Sequence, residues 1–202
     1  MEIGLSLLCQ VAARRRLAEA QRCVARPGAD QERKKKAPTA AIIDSQSVKM
    51  AGQPGERGFD AGKKIMGRKR HLLVDTMGLL LCVCVHSAGL QDRDGAKLLL
   101  ERAWKFGWLR KIWADGGYAG ALLEWVKNLR LGRMAQIEIV KRVNDGFKIL
   151  PRRWVVERTF AWLNRYRRLS KDYEVRTDHS EAFIYIAASH LMARRLAKAT
   201  AF

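Results

Sequence analysis

Acidic residues are scarce in this chain of 202 residues, which has 20 Asp and Glu against 39 Lys and Arg. The resulting formal net charge of +19 costs self-repulsion, and proteins usually tolerate such a charge when their partner is a polyanion. No single amphipathic segment carries the charge, so an anionic membrane surface fits less well than a nucleic acid. Hydrophobic residues make up 48% of the chain, which predicts a folded core and excludes a disordered basic tail.

Cysteines and long apolar runs are also few. The four cysteines lack metal-ligand spacing, which argues against a zinc site, and Cys82 and Cys84 are expected to pack as small hydrophobic residues on one face of a strand. The longest apolar run, Leu79–Val85, is too short to span a bilayer. Glu2 stands where a signal peptide has a basic residue. These features predict a cytoplasmic protein without structural disulfides.

The first 36 residues differ in texture from the rest. They hold an Ala/Arg-rich stretch, then Pro27-Gly28, then a charged run from Gln31 to Lys36. This pattern predicts an appendage or linker over residues 1–36, poorly ordered or partly helical, ahead of one folded domain over residues 37–202. Short apolar runs and helical stretches alternate in that domain, which predicts an α/β fold: a mixed sheet of about five strands flanked by helices.

Turn and cap residues set the expected bounds of these elements. The predicted strands are 40–43, 70–75, 79–86, 111–114 and 137–140, the predicted helices are 92–106, 121–131, 151–169 and 178–197, and a flexible basic loop is expected over 52–67.

Two acidic residues directly follow apolar strands. Asp44 follows the run Ala40–Ile43, and Asp115 follows Ile112-Trp113-Ala114 and precedes two glycines. Carboxylates at strand ends project from a sheet edge into a shared cleft, where they are good ligands for the two Mg²⁺ ions of phosphodiester cleavage. The glycines after Asp115 leave the backbone uncrowded, so that a nucleic-acid strand can approach it.

A third acid, Glu157, lies on a predicted helix. Val156, Phe160 and Leu163 recur at helical spacing and form the expected buried face. Arg153, Glu157 and Asn164 share the polar face. A carboxylate beside a guanidinium suits a phosphate-handling site, and the same spacing also describes an ordinary i,i+4 salt bridge.

Basic residues cluster in two places, before the hairpin and along the helix that carries Glu157. Phosphate contacts explain such density. Trp154, Trp162 and Tyr166 are either base-stacking groups or ordinary packing residues. The residues predicted to bind DNA on these grounds are Lys63, Lys64, Arg68, Lys69, Arg70, Arg158, Arg165, Arg167 and Arg168.

The remaining acids have simpler interpretations. Asp75 is expected to serve the hairpin turn. Asp92 and Asp94 are most simply helix caps, and Glu181 completes a capping box with Asp178. Asp60 in the glycine-rich loop has no assigned role.

Four segments together resemble the bacterial insertion-sequence transposases of the IS5 group, within the IS4-like DDE superfamily: residues 41–48, 67–75, 113–118 and 153–162. The resemblance covers about residues 38–197. It implies a ribonuclease-H-like core and two Mg²⁺ ions, with Mn²⁺ as a substitute, held by Asp44, Asp115 and Glu157. It further implies hydrolysis of DNA at the ends of the element, followed by attack of the freed 3′ hydroxyl on target DNA.

The family pattern around the third acid reads Tyr-Arg-Glu-Lys. Arg153 and Glu157 match it, and Arg153 would hold a phosphate near the transposon end. Leu150 replaces the Tyr, and Asn164 stands where the Lys contacts DNA. The resemblance implies double-stranded DNA as partner and a homodimer in the bacterial cytoplasm, near the nucleoid.

Full-length relatives carry a further N-terminal domain, so the chain is expected to be the downstream half of a transposase that works with an upstream half. Two alternatives stay open. The chain is a catalytically inactive DNA-binding remnant, or it is a simple metal-dependent nuclease of the same fold.

Overall fold

The computed structural model describes residues 37–103, 105–128, 135–140 and 153–199. The predicted appendage over residues 1–36 and the predicted helix start at Pro151 lie outside these ranges. Within them, no helix is both long enough and apolar enough to cross a membrane.

The described residues form six strands and four helices. The strands are β1 (Ala40–Lys49), β2 (Gly58–Asp60), β3 (Ile65–Asp75), β4 (Leu80–Ser87), β5 (Lys111–Ala114) and β6 (Gln136–Ile139). The helices are α1 (Asp92–Ala103), α2 (Ala121–Asn128), α3 (Trp154–Leu163) and α4 (Thr177–Ala199).

The strands make one mixed sheet with the order β2-β3-β1-β5-β6, in which β4 also pairs with β3. Strands β1, β3 and β4 are antiparallel, whereas β5 runs parallel to both β1 and β6. Helices cover both faces, and this curled mixed sheet is consistent with the expected ribonuclease-H-like fold. The α/β prediction is therefore confirmed.

The alternation of side chains along β1 divides the core into two layers. Ile42 points to the layer built by α3 and α4, whereas Ala41 and Ile43 point to the layer built by α1 and α2. Cys82 and Cys84 are buried free cysteines in the second layer, as predicted from their spacing. On α3, the predicted buried face of Val156, Phe160 and Leu163 is confirmed.

Three predicted boundaries were wrong. Strand β1 continues past Asp44 to Lys49 because β3 pairs with it along residues 41–49. The predicted flexible loop contains β2, which pairs with the start of β3. Helix α3 ends at Leu163 instead of near Leu169, because Tyr166 takes an extended conformation and the short 3-10 helix Arg167–Leu169 brings Leu169 into the core.

The turn between β3 and β4 is built as expected. Asp75 Oδ1 accepts hydrogen bonds from the backbone N–H groups of Met77 and Leu79, both at 2.8 Å. Gly78 has a φ of +82°, a conformation that side chains with a Cβ rarely adopt. The turn thereby fixes the position of the hairpin against Thr159 of α3, whose hydroxyl donates to the carbonyl of Gly78 at 3.0 Å.

Side chains from the helices cover the outer edge of β4. The N–H of Val83 donates to the hydroxyl of Tyr185 (3.3 Å), and the N–H of Val85 donates to Glu181 Oε1 (3.0 Å). Arg102 donates to the carbonyl of Val83 (3.2 Å) and to Glu181 (2.6 Å). Glu181 therefore binds β4 and Arg102, which corrects its predicted role in a capping box.

Candidate active site

The pairing of β1 with β5 places the first two acids side by side. Ile42 pairs with Trp113, so Asp44 and Asp115 each lie two residues beyond the last paired positions. Strand β5 ends at Ala114, and β1 continues alone on this flank. Asp44 is therefore partly open to solvent although it lies inside a strand.

Local hydrogen bonds restrain both carboxylates. Asp44 Oδ1 accepts from the N–H of Ser45 at 2.7 Å. Asp115 Oδ1 accepts from the N–H of Gly117 at 2.9 Å and caps the 3-10 helix Gly116–Tyr118. A Cβ on Gly116 would meet nothing within 4 Å among the described residues, so the backbone beside Asp115 is open to a large ligand.

Arg153 links the third acid to this pair. Its Nη2 lies 3.3 Å from Glu157 Oε1 and 4.0 Å from Asp115 Oδ2, and its charge also acts on Asp44. Glu157 is well exposed, with 59% of its side chain accessible. The i,i+4 salt bridge is therefore present, and the same guanidinium also approaches Asp115. The phosphate-handling role of Arg153 and Glu157 stays a prediction.

Burial dominates the electrostatics of Asp44. Burial, and to a smaller extent the charge of Asp115, raise the pKa of Asp44 to about 6, although Ser45, Arg153 and Lys63 oppose the shift. Asp44 and Asp115 offer the hard oxygen ligands that Mg²⁺ prefers. In the described part of the chain, no group of three or more His, Cys, Asp or Glu side chains is placed to hold a metal ion.

The raised pKa of Asp44 predicts a pH-dependent effect on stability in metal-free buffer. The pKa of Asp44 is about 6 in the folded state, above the ordinary 3.8. The contribution of Asp44 to the free energy of unfolding is therefore fully present below pH 3.8 and is lost as the pH rises through 6. A shift of this size corresponds to about 3 kcal/mol. Asp44→Asn, which keeps the neutral form, should raise the free energy of unfolding by roughly this amount at pH 8 and hardly at all near pH 4.

Urea unfolding at the two pH values checks this expectation. The matched control is Asp94→Asn, since Asp94 is exposed at the start of α1 and pairs with Lys97 at 2.7 Å. If Asp44→Asn raised the free energy of unfolding equally at both pH values, ionisation of Asp44 would not be the cause of the gain.

A network of charged and hydroxyl groups connects the part of β1 that follows Asp44 to neighbouring elements. The hydroxyl of Ser45 donates to Asp92 Oδ1 at 3.0 Å, and Lys69 Nζ lies 2.8 Å from the same oxygen. Asp60 lies 3.5 Å from Lys69 and accepts from the hydroxyl of Ser47 at 2.5 Å. The network fixes the strand that carries Asp44 to the first turn of α1.

The pKa values of both acids in this network are consistent with such a role. Burial raises the pKa of Asp92, but the hydrogen bond and charge of Lys69, the charge of Lys63 and the hydroxyl of Ser45 lower it overall. Burial likewise raises that of Asp60, and Ser47, Lys63 and Lys69 lower it overall. Both acids are thus held as anions.

Sequence reasoning missed this network around Lys69. Asp92 was interpreted as a helix cap and Asp60 received no role, yet both carboxylates bind Lys69. The available signal was the position of Ser45 and Ser47, which follow Asp44 on the same strand and whose hydroxyl groups need partners when buried.

Three of the residues predicted to bind DNA are buried and have protein partners, which corrects their interpretation. Arg68 is 0% exposed and binds Asp172, and Arg70 donates to the carbonyls of Leu169 and Lys171. Lys69 binds Asp60 and Asp92. Their positive charges stabilise the fold and are not available to a phosphate.

The other predicted DNA-binding residues lie on or near the surface. Lys63 stands beside the site, where its Nζ contacts the hydroxyl of Ser45 at 3.2 Å. Arg168 lies 2.8 Å from Glu174, and Arg158 packs between two tryptophans. The remaining members, all exposed, are Lys64, Asn164, Arg165 and Arg167.

Comparison with known proteins gives two findings. Residues 35–192 match the family described as "Transposase DDE domain". The chain is also 30% identical, over 154 residues, to the "Putative transposase for insertion sequence element IS402" of Burkholderia cepacia, an alignment that covers 71% of this chain and 69% of the relative. The span matched to the family includes Asp44, Asp115 and Glu157.

Proposed function

The chain belongs to the transposase DDE domain family, and from this premise we propose that it cleaves DNA at the ends of an insertion sequence and joins the freed ends to target DNA. We further infer that the element belongs to the IS5 group, on the four segments that resemble that group. The observation that carries the proposed activity is the contact of one guanidinium, that of Arg153, with both Asp115 and Glu157, while its charge also acts on Asp44 beside Asp115.

The donor set fits a divalent metal. Asp44 lies on β1 and Asp115 directly follows the adjacent parallel strand β5. Burial, together with the charge of Asp115, raises the pKa of Asp44, so a cation bound here would favour its ionised form. We propose that these two residues and Glu157 hold two Mg²⁺ ions. When bound there, the metal supplies charge that activates the attacking hydroxyl and stabilises the leaving oxygen.

Arg153 is proposed to exchange partners when substrate arrives. In this structure it neutralises Asp115 and Glu157. Its planar guanidinium has the geometry that pairs with a phosphate through two parallel hydrogen bonds. Transfer of Arg153 to the substrate would leave both carboxylates free to act as ligands and would orient the phosphate beside them.

Lys63 is proposed to bind the other side of the same phosphate group. Its Nζ is 3.3 Å from the carbonyl and 3.2 Å from the hydroxyl of Ser45, next to Asp44. The exposed cations Lys64, Arg165 and Arg167, together with Asn164, would extend the DNA surface from the site. A homodimer that pairs two DNA ends, or assembly with an upstream transposase half, completes the proposal.

The proposal predicts Mg²⁺-dependent cleavage and joining by the purified chain. The substrate is a duplex that carries the ends of its own element and their flanking DNA, and the products are resolved on a denaturing gel, with Mn²⁺ as a second metal. We expect 3′-hydroxyl ends at the element boundary and joined strands in an added target plasmid. Omission of the metal should abolish both products.

The same assay separates the alternatives. Cleavage without joined product, equally on unrelated duplexes, would identify a simple nuclease. Binding without cleavage, even after an upstream transposase half is added, would identify an inactive remnant and overturn the proposed activity.

A further inference from the structure

Two tryptophans and two arginines alternate on the outer side of α3 and α4. The guanidinium carbon of Arg158 lies 4.3 Å from the ring centre of Trp154 and 4.5 Å from that of Trp162. The guanidinium carbon of Arg195 lies 4.3 Å from the ring centre of Trp162. Trp154, Arg158 and Trp162 are four residues apart and therefore share one face of α3. We call these four residues the Trp–Arg ladder.

A guanidinium group lies over each tryptophan ring of the ladder, although Trp154 is still 44% exposed. Trp162 stacks with two guanidinium groups, and Trp154 stacks with one. Stacking of this kind holds the plane and direction of an arginine side chain that otherwise has many rotamers. The tryptophans therefore orient positive charge, which differs from the base-stacking role considered from the sequence.

The charge of Asp75 acts on both arginines of the ladder, but it only partly offsets the lowering of their pKa values. Arg158 and Arg195 both donate to the carbonyl of Met77, at 3.0 and 3.4 Å. In the described ranges neither guanidinium lies within 4.0 Å of a carboxylate, and Arg158 Nε has no hydrogen-bond partner. Burial and the neighbouring charge of Arg158 lower the pKa of Arg195, and the opposing charge of Asp75 is the smaller effect. An anion at this position would relieve that repulsion.

We propose that the Trp–Arg ladder binds the phosphate backbone of duplex DNA to one side of the cleaved bond. The inference rests on the proposed function, because it takes DNA as the polyanion. Each guanidinium has five N–H donors, so the bond to Met77 leaves donors that can bind phosphate oxygens. Side chains of this kind position a protein on the duplex without reading its sequence.

The position of the ladder relative to Glu157 sets the place of the contact. Trp162, against which Arg195 stacks, lies five residues beyond Glu157 on α3, which corresponds to about 7–8 Å along the helix axis. Successive phosphates along one strand advance by about 3.4 Å. The ladder should therefore contact phosphates about two to four nucleotides from the cleaved bond.

The test is DNA binding by the double variant Arg158→Gln/Arg195→Gln, without divalent metal, between 50 and 200 mM salt. Loss of two phosphate contacts should make the negative slope of log K against log salt shallower by about 2, and it should weaken binding at low salt by roughly tenfold. Neutral methylphosphonate groups placed two to four nucleotides from the cleavage position should weaken wild-type binding and leave the variant unaffected.

A matched control removes two other charges. Lys111→Gln/Lys127→Gln deletes cations that pair with Glu138 and Glu124, at 2.6 and 2.9 Å. Because these cations already have partners, the salt slope should change little. Thermal unfolding of both variants monitors the fold, and Arg158→Lys/Arg195→Lys, which keeps the charge and loses the planar stacking, should restore the slope but only part of the affinity.

The outcomes are distinct. An unchanged salt slope in the glutamine variant, with or without a lower melting temperature, would show that the ladder only joins α3 and α4 to the hairpin turn, and would overturn the inference. Absence of DNA binding by the wild-type chain would instead count against the proposed function. A reduced slope in the glutamine variant, together with methylphosphonates that weaken DNA binding by the wild-type chain but not by the variant, would support the ladder as a backbone contact.

Discussion

Replacement of Asp115 by asparagine is expected to abolish DNA cleavage while DNA binding stays within about twofold of wild type. The carboxylate lies beside Asp44, directly after the end of the adjacent strand β5, and 4.0 Å from the guanidinium of Arg153. If it holds a metal ion, its loss removes several kcal/mol of charge stabilisation from the reaction. Since each 1.36 kcal/mol is a factor of ten, the cleavage rate should fall by at least about a thousandfold.

The same result is expected for Asp44→Asn and for Glu157→Gln. Single-turnover cleavage of an end-bearing duplex measures the rate, and a filter-binding assay without divalent metal measures affinity. Asp94→Asn and Glu124→Gln are matched controls, because neither carboxylate is buried and, among the described residues, each pairs with a lysine three positions further along its own helix. Cleavage at more than a tenth of the wild-type rate in any of the three variants would contradict the catalytic assignment of that residue.

Arg68→Ala is expected to destabilise the protein by about 3–5 kcal/mol, because it leaves a buried carboxylate without its counterion. Arg68 Nη1 is 3.1 Å from Asp172 Oδ1, and both side chains are almost completely buried. The guanidinium also donates to the carbonyls of Glu56, Glu174 and Val175, at 2.8, 2.7 and 2.6 Å. Arg68 therefore joins β3 to two distant segments, one at Glu56 and one over residues 172–175.

Chemical unfolding at neutral pH measures this loss. The matched control is Arg168→Ala, which breaks a 2.8 Å pair with Glu174 at the surface and should cost at most about 1 kcal/mol. The double variant Arg68→Met/Asp172→Leu removes both charges and should recover most of the stability. If Arg68→Ala weakened DNA binding without lowering the free energy of unfolding, the buried-ion-pair explanation would be wrong.

The pairing of the two aspartates was accessible from the sequence. Each follows a short apolar run, and parallel strands bring their carboxyl ends to one side of a sheet. The prediction placed Asp44 at the end of its strand, whereas β1 continues to Lys49. Asp44 nevertheless lies open beside Asp115, because β5 stops at Ala114 and leaves the side of β1 next to Asp44 uncovered. The catalytic and metal-binding roles of these acids stay predictions.

The roles of the buried cations were not accessible in the same way. Arg68 and its partner Asp172 are 104 positions apart, so no local pattern relates them. A cluster of basic residues before a strand has the same composition whether its side chains point to solvent or to the core. Alternation along β3 does not decide the question either, because both faces of this central strand are covered.

The covered edge of β4 has a consequence for assembly. An uncovered outer strand offers its backbone to a strand from another molecule, and sheets of separate copies can fuse in this way. Here Tyr185, Glu181 and Arg102 already occupy the backbone groups of Val83 and Val85. Pairing of β4 with a strand of a second molecule is therefore disfavoured while α4 stays in place, and so is amyloid-like stacking through this strand.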